Sequence, residues 1–333
     1  MGQNLPILVA GGAGFIGSHT CKALFQAGYC PIVLDNLCTG YRDYVKWGPF
    51  IEGSISNEGL VGEIVQHYQP CAVIHFASSI NVGESVQDPQ KYILNNVCDT
   101  VFFLKALREN GLEKIVFSSS AAVYGPSQVK TIDEGHPIGP INPYGYSKAW
   151  METMLASYRD AYGMQSVIFR YFNAAGADKE GELGESHDPE THLIPLILQS
   201  ALEIGDPITL FGQNYDTPDG TCIRDYVHVM DLADAHVKAI DYLLDGGPSV
   251  ILNLGSEVGY SVAEVIKTAS EVLGCPIPHK WGARREGDPA RLVANPQKAK
   301  TVLHWQARHS DLSSLILDAW KWQRRLTSDS RPL

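Results

Sequence analysis

The sequence predicts an α/β fold: a doubly wound parallel sheet with a smaller α/β domain attached. Three observations carry this. Short apolar runs alternate with helical patterns through the first half of the chain, the first run opens into a glycine loop that starts a helix, and the second run ends on an acid. Alternation of this kind argues for parallel strands joined by crossover helices.

Leu5 to Ala10 is a short continuous apolar run, read as a strand covered on both faces. Gly11-Gly12-Ala13-Gly14-Phe15-Ile16-Gly17 follows, then a helical pattern to Ala27 closed by Gly28, then a second strand from Pro31 to Leu34 that ends at Asp35-Asn36. Gly11, Gly14 and Gly17 are spaced three and three, whereas the commonest dinucleotide fingerprint is spaced two and three. The physical demand is the same. The loop backbone must approach a pyrophosphate closely, and the helix N-terminus must face its negative charge. Asp35 lies 18 residues after Gly17, the distance expected of an acid on the adenosine ribose. A glycine loop alone is often just a tight turn, but the full strand, loop, helix, strand, acid context predicts a dinucleotide site and a Rossmann-type sheet.

Phe50 to Glu52, Cys71 to Phe76 and Lys114 to Ser118 read as further strands, with helices over about 57–68 and 89–110. The segment 120–142 is a long loop that begins where the fifth strand ends, the edge at which ligands sit in such sheets. A helix over 144–162 and a strand from Val167 to Tyr171 follow. After Asn173 the character changes: Ala174 to Glu190 is a loop rich in Gly, Asp and Glu, Leu193 to Ile204 is helical, and short elements alternate to about Arg325. The expected organisation is a nucleotide-binding domain over 1–173 and a mainly substrate-binding domain over 174–326. Segments at roughly 221–245 return to the first core, and the tail over 327–333 is frayed.

Composition narrows the function classes. A chain of 333 residues with 44% apolar and 19% charged residues is soluble and globular. The net charge of −11 argues against a nucleic-acid partner. No apolar run approaches the roughly 18 residues of a membrane helix, and the N-terminus lacks the features of a secretory signal. Seven cysteines with no Cys-x-x-Cys pair suggest reduced thiols and a cytoplasmic protein. His187 and His192 lie five apart around Pro189 and read as loop residues, so no metal site is expected.

The chemistry centres on Tyr144-Gly145-Tyr146-Ser147-Lys148. Asn142-Pro143 signals a helix start, and a tyrosine and lysine four apart then share a face. The Lys148 ammonium is expected to favour the Tyr144 phenolate and make it a general base. Ser118-Ser119-Ser120 closes the fifth strand on the neighbouring element, so a serine hydroxyl can meet the same substrate oxygen. Serine, tyrosine and lysine beside a dinucleotide make a hydride-transfer site.

With these residues in hand, the chain resembles the extended short-chain dehydrogenase/reductase family, and within it the UDP-sugar 4-epimerases, over nearly its whole length. Gly11 to His19, Asp35-Asn36-Leu37, Val82-Gly83-Glu84-Ser85, Arg170-Tyr171-Phe172-Asn173, Asp219 to Tyr226 and Arg284 to Asp288 stand where that family has them, the two arginine motifs being the more specific to epimerases. The resemblance implies that Ser120, Tyr144 and Lys148 are catalytic. It implies that Gly11, Gly14, Phe15, Ile16, Asp35, Asn36, Ser54, Ile55, Phe76, Ala77, Asn95, Lys148 and Tyr171 surround NAD. It also implies that Asn173, His192, Leu193, Phe211, Arg224, Arg285, Asp288 and Leu292, with Ser120 and Tyr144, bind the UDP-sugar. Arginines suit a diphosphate because they offer planar, always-charged donors; the bland alternative is a surface ion pair of Arg224 with Asp225, or of Arg285 with Glu286.

There are departures from the family pattern. Ser54 stands where many relatives have an aspartate near the adenine, Ile80 where some place a lysine, His192 where an asparagine is common, and Leu292 where relatives vary between a bulky tyrosine and a small residue. Other stretches, Val45-Lys46-Trp47-Gly48 and Pro189-Glu190-Thr191-His192, resemble a bacterial subgroup active on UDP-pentoses.

The implied function is 4-epimerisation of UDP-glucose and UDP-galactose, and of UDP-xylose and UDP-arabinose as further substrates, through a transient 4-keto sugar. A dehydratase or decarboxylase on the same fold would need an acid after Ser120, where Ala121 and Ala122 stand. A non-catalytic NAD-sensing regulator would not need the tyrosine–lysine pair. The family also implies a homodimer, with Val101, Phe103, Leu104 and Leu107 of one helix and Met151, Met154 and Leu155 of another as its face, unless these residues are internal core.

Overall fold

The structure, a computed structural model, describes residues 4–204, 207–284 and 288–329. Its strands in chain order are β1 (Pro6–Ala10), β2 (Cys30–Asp35), β3 (Phe50–Glu52), β4 (Ala72–His75), β5 (Lys114–Ser120), β6 (Gln165–Tyr171), β7 (Asn173–Ala175), β8 (Ile208–Phe211), β9 (Ile223–His228), β10 (Val250–Leu254), β11 (Gly259–Ser261), β12 (His279–Gly282) and β13 (Arg291–Leu292). The main helices are α1 (Phe15–Gln26), α2 (Glu58–Tyr68), α3 (Val82–Gln87), α4 (Pro89–Tyr92), α5 (Asp99–Glu109), α6 (Pro143–Tyr162), α7 (Leu193–Ala201), α8 (Val229–Leu244), α9 (Val262–Leu273), α10 (Gln297–Val302) and α11 (Leu312–Asp329).

Seven strands form one parallel sheet in the order β10-β6-β5-β4-β1-β2-β3. The central strands read as unbroken apolar runs because helices cover both faces. On one face α1 and α8 pack on Ile7, Val9, Val33 and Ile74, with Trp305 closing the layer; on the other α2, α5 and α6 pack on Leu8, Ile32, Val73 and Ile115. The order reverses between β1 and β4, which opens a crevice at the carboxyl ends of those two strands. In register, Ala10 lies beside Leu34 and His75, and His75 beside Phe117, so the residues that follow these four come out at one level.

The second half of the chain builds its own core from α7, α9, α11 and β8, with Ile197, Leu210, Val265 and Leu315 buried. Here β11, β9, β13 and β7 form a small sheet, and β12 pairs with β8. Residues of α8, which lie within the expected 221–245, pack into the first core, and β10 joins the edge of the large sheet, while β9 belongs to the small sheet.

Three local expectations change. The helix expected over 89–110 is α4 and α5 joined through a π-helical stretch, Ile93–Cys98. The tail expected to fray from Thr327 is helical to Asp329, because α11 continues past Trp322, which packs with Tyr44, Ala177 and Leu183; residues 330–333 lie outside the described ones. The residues weighed as a dimer face are largely internal. Phe103, Leu104, Leu107, Met151 and Leu155 are fully buried against the sheet, since that side of α5 and α6 carries the inward stripe. Among the described residues no helix is long and apolar enough to cross a membrane.

Candidate active site

The glycine loop leaves β1 and enters α1 under tight steric control. Gly11 has φ +81°, and a Cβ there would lie 2.6 Å from the Ala77 nitrogen; a Cβ on Gly17 would lie 2.2 Å from the Gly11 oxygen. Both glycines are required by neighbouring backbone. Gly14 differs: its Cβ would meet nothing closer than 3.5 Å, so its bare face leaves open space over the loop. Gly14 is also the N-cap of α1, which has no side-chain cap and no acid in its first turn. Uncapped N–H groups beside open space suit a phosphate. Phe15 and Ile16 begin the helix and pack inward.

Asp35 ends β2 and braces this loop. Its Oδ2 accepts from Ala13 N and its Oδ1 from Leu37 N, each at 2.9 Å, leaving lone pairs for a ribose hydroxyl. Burial raises its pKa, and the two backbone donors oppose that. Asn36 follows, and its Oδ1 accepts from Cys38 N. After β3, the Ser54 hydroxyl meets that of Ser56 at 2.8 Å, while Ile55 is buried in the core and offers a ligand its main chain only. At the end of β4, Phe76 lies tilted against the His236 ring and Ala77 packs on the α2/α5 layer. The π-helical stretch turns two consecutive asparagines towards Ser79: Asn95 Oδ1 accepts from Ser79 N at 2.9 Å and Asn96 Oδ1 at 2.8 Å. Such a bulge is a common functional device, because it shifts side-chain register within a helix. Ile80 is 43% exposed. These residues fit a dinucleotide.

The serine run at the end of β5 divides its tasks. Ser118 offers its carbonyl to Lys148 Nζ at 2.8 Å and its hydroxyl to Tyr171. Ser119 Oγ donates to Glu152 at 2.5 Å. Ser120 accepts from Ala122 N at 3.1 Å and hydrogen-bonds the Tyr144 phenol. α6 starts as the sequence suggests, with Asn142 capping Gly145 N and Pro143 in the first turn, which places Tyr144, Lys148 and Glu152 on one inward face. Lys148 Nζ is held by Ser78 Oγ at 2.8 Å and lies 5.8 Å from the Tyr144 ring centroid.

The electrostatics reverse one expectation. Burial pushes the Tyr144 phenol up, opposed by Ser120, and pulls Lys148 down to about 7, opposed by Glu152. Desolvation penalises each charged form and outweighs the mutual attraction that the four-residue spacing alone suggests. The residues missed in sequence are those around this pair. Glu152 binds Arg170 at 2.5 Å, and Arg170 reaches the Tyr124 hydroxyl at 3.0 Å, which donates to Asn253 at 2.6 Å. Glu152 could have been found by extending the Tyr144–Lys148 spacing one more turn.

The substrate candidates come from separate elements of the second half. Asn173 Nδ2 donates to the Asp225 carbonyl, tying β7 to β9. His192 and Leu193 stand at the N-terminus of α7, and Phe211 at the end of β8. Arg224 pairs with Asp288 across the fold. It does not pair with Asp225, whose carboxylate is buried and accepts from Ser256, Glu257 and Ala294. Leu292 sits beside Arg224 in the β13–β9 register and packs on the cluster of Ala121 and Phe172, next to the end of β5. Arg285 lies outside the described residues.

Residues 7–255 match the family model described as NAD dependent epimerase/dehydratase family. The chain is 50% identical over 320 residues to the UDP-glucose 4-epimerase of Rhizobium leguminosarum bv. trifolii, covering 96% of this chain and 97% of that one. The structure is similar to that of the UDP-glucose 4-epimerase from Brucella ovis in complex with NAD, with a TM-score of 0.93 and 49% identity over 95% of this chain and 97% of that one. It is also similar to the enzyme from Stenotrophomonas maltophila with bound NAD and formylated UDP-arabinopyranose, with a TM-score of 0.95 and 35% identity over 98% and 100% of the two chains.

Proposed function

We propose that this chain, which belongs to the NAD dependent epimerase/dehydratase family, inverts the fourth carbon of a UDP-sugar and interconverts UDP-glucose and UDP-galactose. The observation that carries this reading is the convergence of Ser120, Tyr144 and Lys148 at the carboxyl end of β5, on the same sheet edge as the glycine cradle. Bound NAD supplies a hydride acceptor that returns what it takes. The Gly11–Gly17 loop, the α1 N-terminus, Asp35 and the Asn95 region would hold it.

The chain's own residues move the proton. Tyr144 Oη takes it from the sugar's 4-hydroxyl, with the Ser120 hydroxyl as partner, and returns it after the keto sugar has turned. Lys148, fixed by Ser78 and the Ser118 carbonyl, is the cation that compensates the phenolate once a polar ligand replaces the apolar surroundings. Proton and hydride both come back, so the reaction is redox-neutral. Arg224, with Arg285, would grip the diphosphate while the sugar is left free to turn. Ala121 and Ala122 follow Ser120 in a tight turn and carry no proton, which disfavours dehydration and decarboxylation.

Incubation with six nucleotides, followed by NMR, tests this: the glucose, galactose, xylose, arabinose, N-acetylglucosamine and N-acetylgalactosamine conjugates of UDP. Epimers of glucose and galactose should form from either side, and loss of water or carbon dioxide, or no reaction, would overturn the reading. Leu292 offers an acetamide no hydrogen bond, and an unpartnered amide costs on the order of 1–3 kcal/mol. The N-acetylated sugars should therefore be disfavoured roughly tenfold to hundredfold. Equal turnover of the two galactose forms would remove that role for Leu292. A pentose lacks only the hydroxymethyl group and meets no steric conflict. The similarity to the enzyme bound to a formylated UDP-arabinopyranose supports pentoses as second substrates.

The same reading extends to a cytoplasmic homodimer. Leu94, Phe102, Tyr146 and Trp150 are between 45% and 51% exposed and leave an apolar face on the outer side of the α5/α6 layer. Light scattering should give twice the chain mass, and Phe102→Glu with Trp150→Glu should halve it. Recovery in the membrane fraction of lysed cells would contradict the location.

A further inference from the structure

The loop leading into α7 gathers four ligating side chains that the reaction does not use together. We propose that Glu185, His187, Glu190 and His192 form a binding site for one divalent cation of the Zn2+ class. One ligating atom from each lies within 4.8 Å of all the others. A tetrahedral zinc ion with bonds of about 2.0–2.1 Å sets its ligands about 3.3 Å apart. His187 Nδ1 is 3.2 Å from Glu185 Oε1 and 3.7 Å from Glu190 Oε2, while His192 Nδ1 is 2.5 Å from Glu185 Oε1 and 3.7 Å from Glu190 Oε1. These separations bracket the tetrahedral edge, and the 4.8 Å within which all four atoms lie exceeds it by roughly 1.5 Å, a gap that side-chain rotation can close.

The donors select the ion. Two imidazoles and two carboxylates suit zinc, whereas calcium and magnesium prefer all-oxygen shells. Two carboxylates also neutralise a 2+ charge where it matters, since the Glu185 and Glu190 side chains are only 6% and 5% exposed. Independently of the cluster's composition, His187 Nδ1 is a fully buried nitrogen that faces these carboxylates without making a well-formed hydrogen bond. His192, at 46% exposure, leaves a way in.

The surroundings are braced as metal sites are. Glu190 Oε1 accepts from Thr191 N and His192 N, Trp322 Nε1 donates to the Glu185 carbonyl at 3.0 Å, and Tyr44 donates to Ser186 at 3.0 Å. His192 is also the residue before the first turn of α7. A cation here would clip the 185–192 loop to that helix end.

The test reads binding, so it stands apart from any assay of epimerisation. Untagged protein treated with a chelator and then dialysed against Zn2+ should take up one equivalent per chain in this site. His187→Gln should weaken uptake by roughly tenfold or more, as loss of a ligand or of its support does. If His187→Gln does not fold, Glu190→Gln carries the same comparison. Zn2+ should also raise the melting temperature of the wild type and not that of the variants. Co2+ should bind with a tetrahedral visible spectrum and no thiolate charge-transfer band, which excludes the seven cysteines as ligands. Wild type and variants binding alike, a thiolate band, or no uptake at all would each show that the cluster is an ion-pair box only.

Discussion

Two arginine–carboxylate pairs, one in each half of the molecule, have opposite characters. Arg170 of β6 and Glu152 on the inward face of α6 have side chains 5% and 6% exposed, and Tyr124 and Ser119 take up further hydrogen-bonding capacity. Arg224 and Asp288 lie in the second half of the chain, with side chains 12% and 26% exposed, and among the described residues Arg224 gives one further donor, to its neighbour's carbonyl. The first pair is closed and can only hold structure. The second is open on one side and retains donors for an anion. An arginine's task therefore follows from how completely its donors are used and how far it is removed from water.

The strongest way to break the comparison is at the chemistry that Arg170 and Glu152 support. Tyr144→Phe removes the proton acceptor, so turnover should fall by roughly 10²–10⁴-fold while UDP-sugar binding by calorimetry persists. Near wild-type turnover would mean that Tyr144 is not the base. Arg170→Met leaves Glu152 buried and uncompensated, and should cost about 3–5 kcal/mol of stability, read from denaturant midpoints. A loss no greater than that of a surface substitution would make the two arginines equivalent.

Lys148 sharpens the picture through pH. Burial pulls its pKa down from the ordinary 10.5 to about 7, so burial of the ammonium opposes folding. Relative to Lys148→Met, the wild type should be at full stability above the unfolded pKa. It should lose on the order of a few kcal/mol as the pH falls from about 10.5 to about 7, and change little below that. Urea melts of nucleotide-free protein across this range check it, and a difference independent of pH would mean that the lysine is solvated. The smallest effect is expected at Arg224. Arg224→Met should weaken UDP-sugar binding by about 1.5–3 kcal/mol, the worth of a hydrogen bond to a charged group, with the denaturant midpoint nearly unchanged. A large stability loss without a binding defect would show that Arg224, like Arg170, is a structural pin.

The first half was legible because its signals are local. Gly11 to Gly17, Asp35 and the strand ends are ordered by the backbone of a parallel sheet, which brings residues at strand termini to one edge whatever their side chains do. The start of α6 was legible for the same reason, since Asn142 and Pro143 act on the next turn. The π-helical stretch that turns both Asn95 and Asn96 to Ser79 was not, because one extra residue in a helical turn leaves no composition signal.

What the residues alone determined was thus the sheet, the glycine cradle and the serine–tyrosine–lysine set. Tertiary structure alone decided the partnerships. Arg224 meets Asp288 across 64 residues, against the adjacent Asp225. His187 and His192, an unremarkable loop spacing, acquire Glu185 and Glu190 as neighbours only when the loop is folded against Trp322 and Tyr44. Lys148 lies near Tyr144 as the spacing requires, yet burial pushes the Tyr144 phenol up, against the expected direction, and pulls Lys148 down. Periodicity and turn chemistry act over a few residues and can be read along the chain. Desolvation and long-range charge pairing depend on which surfaces close over a side chain, and packing settles that.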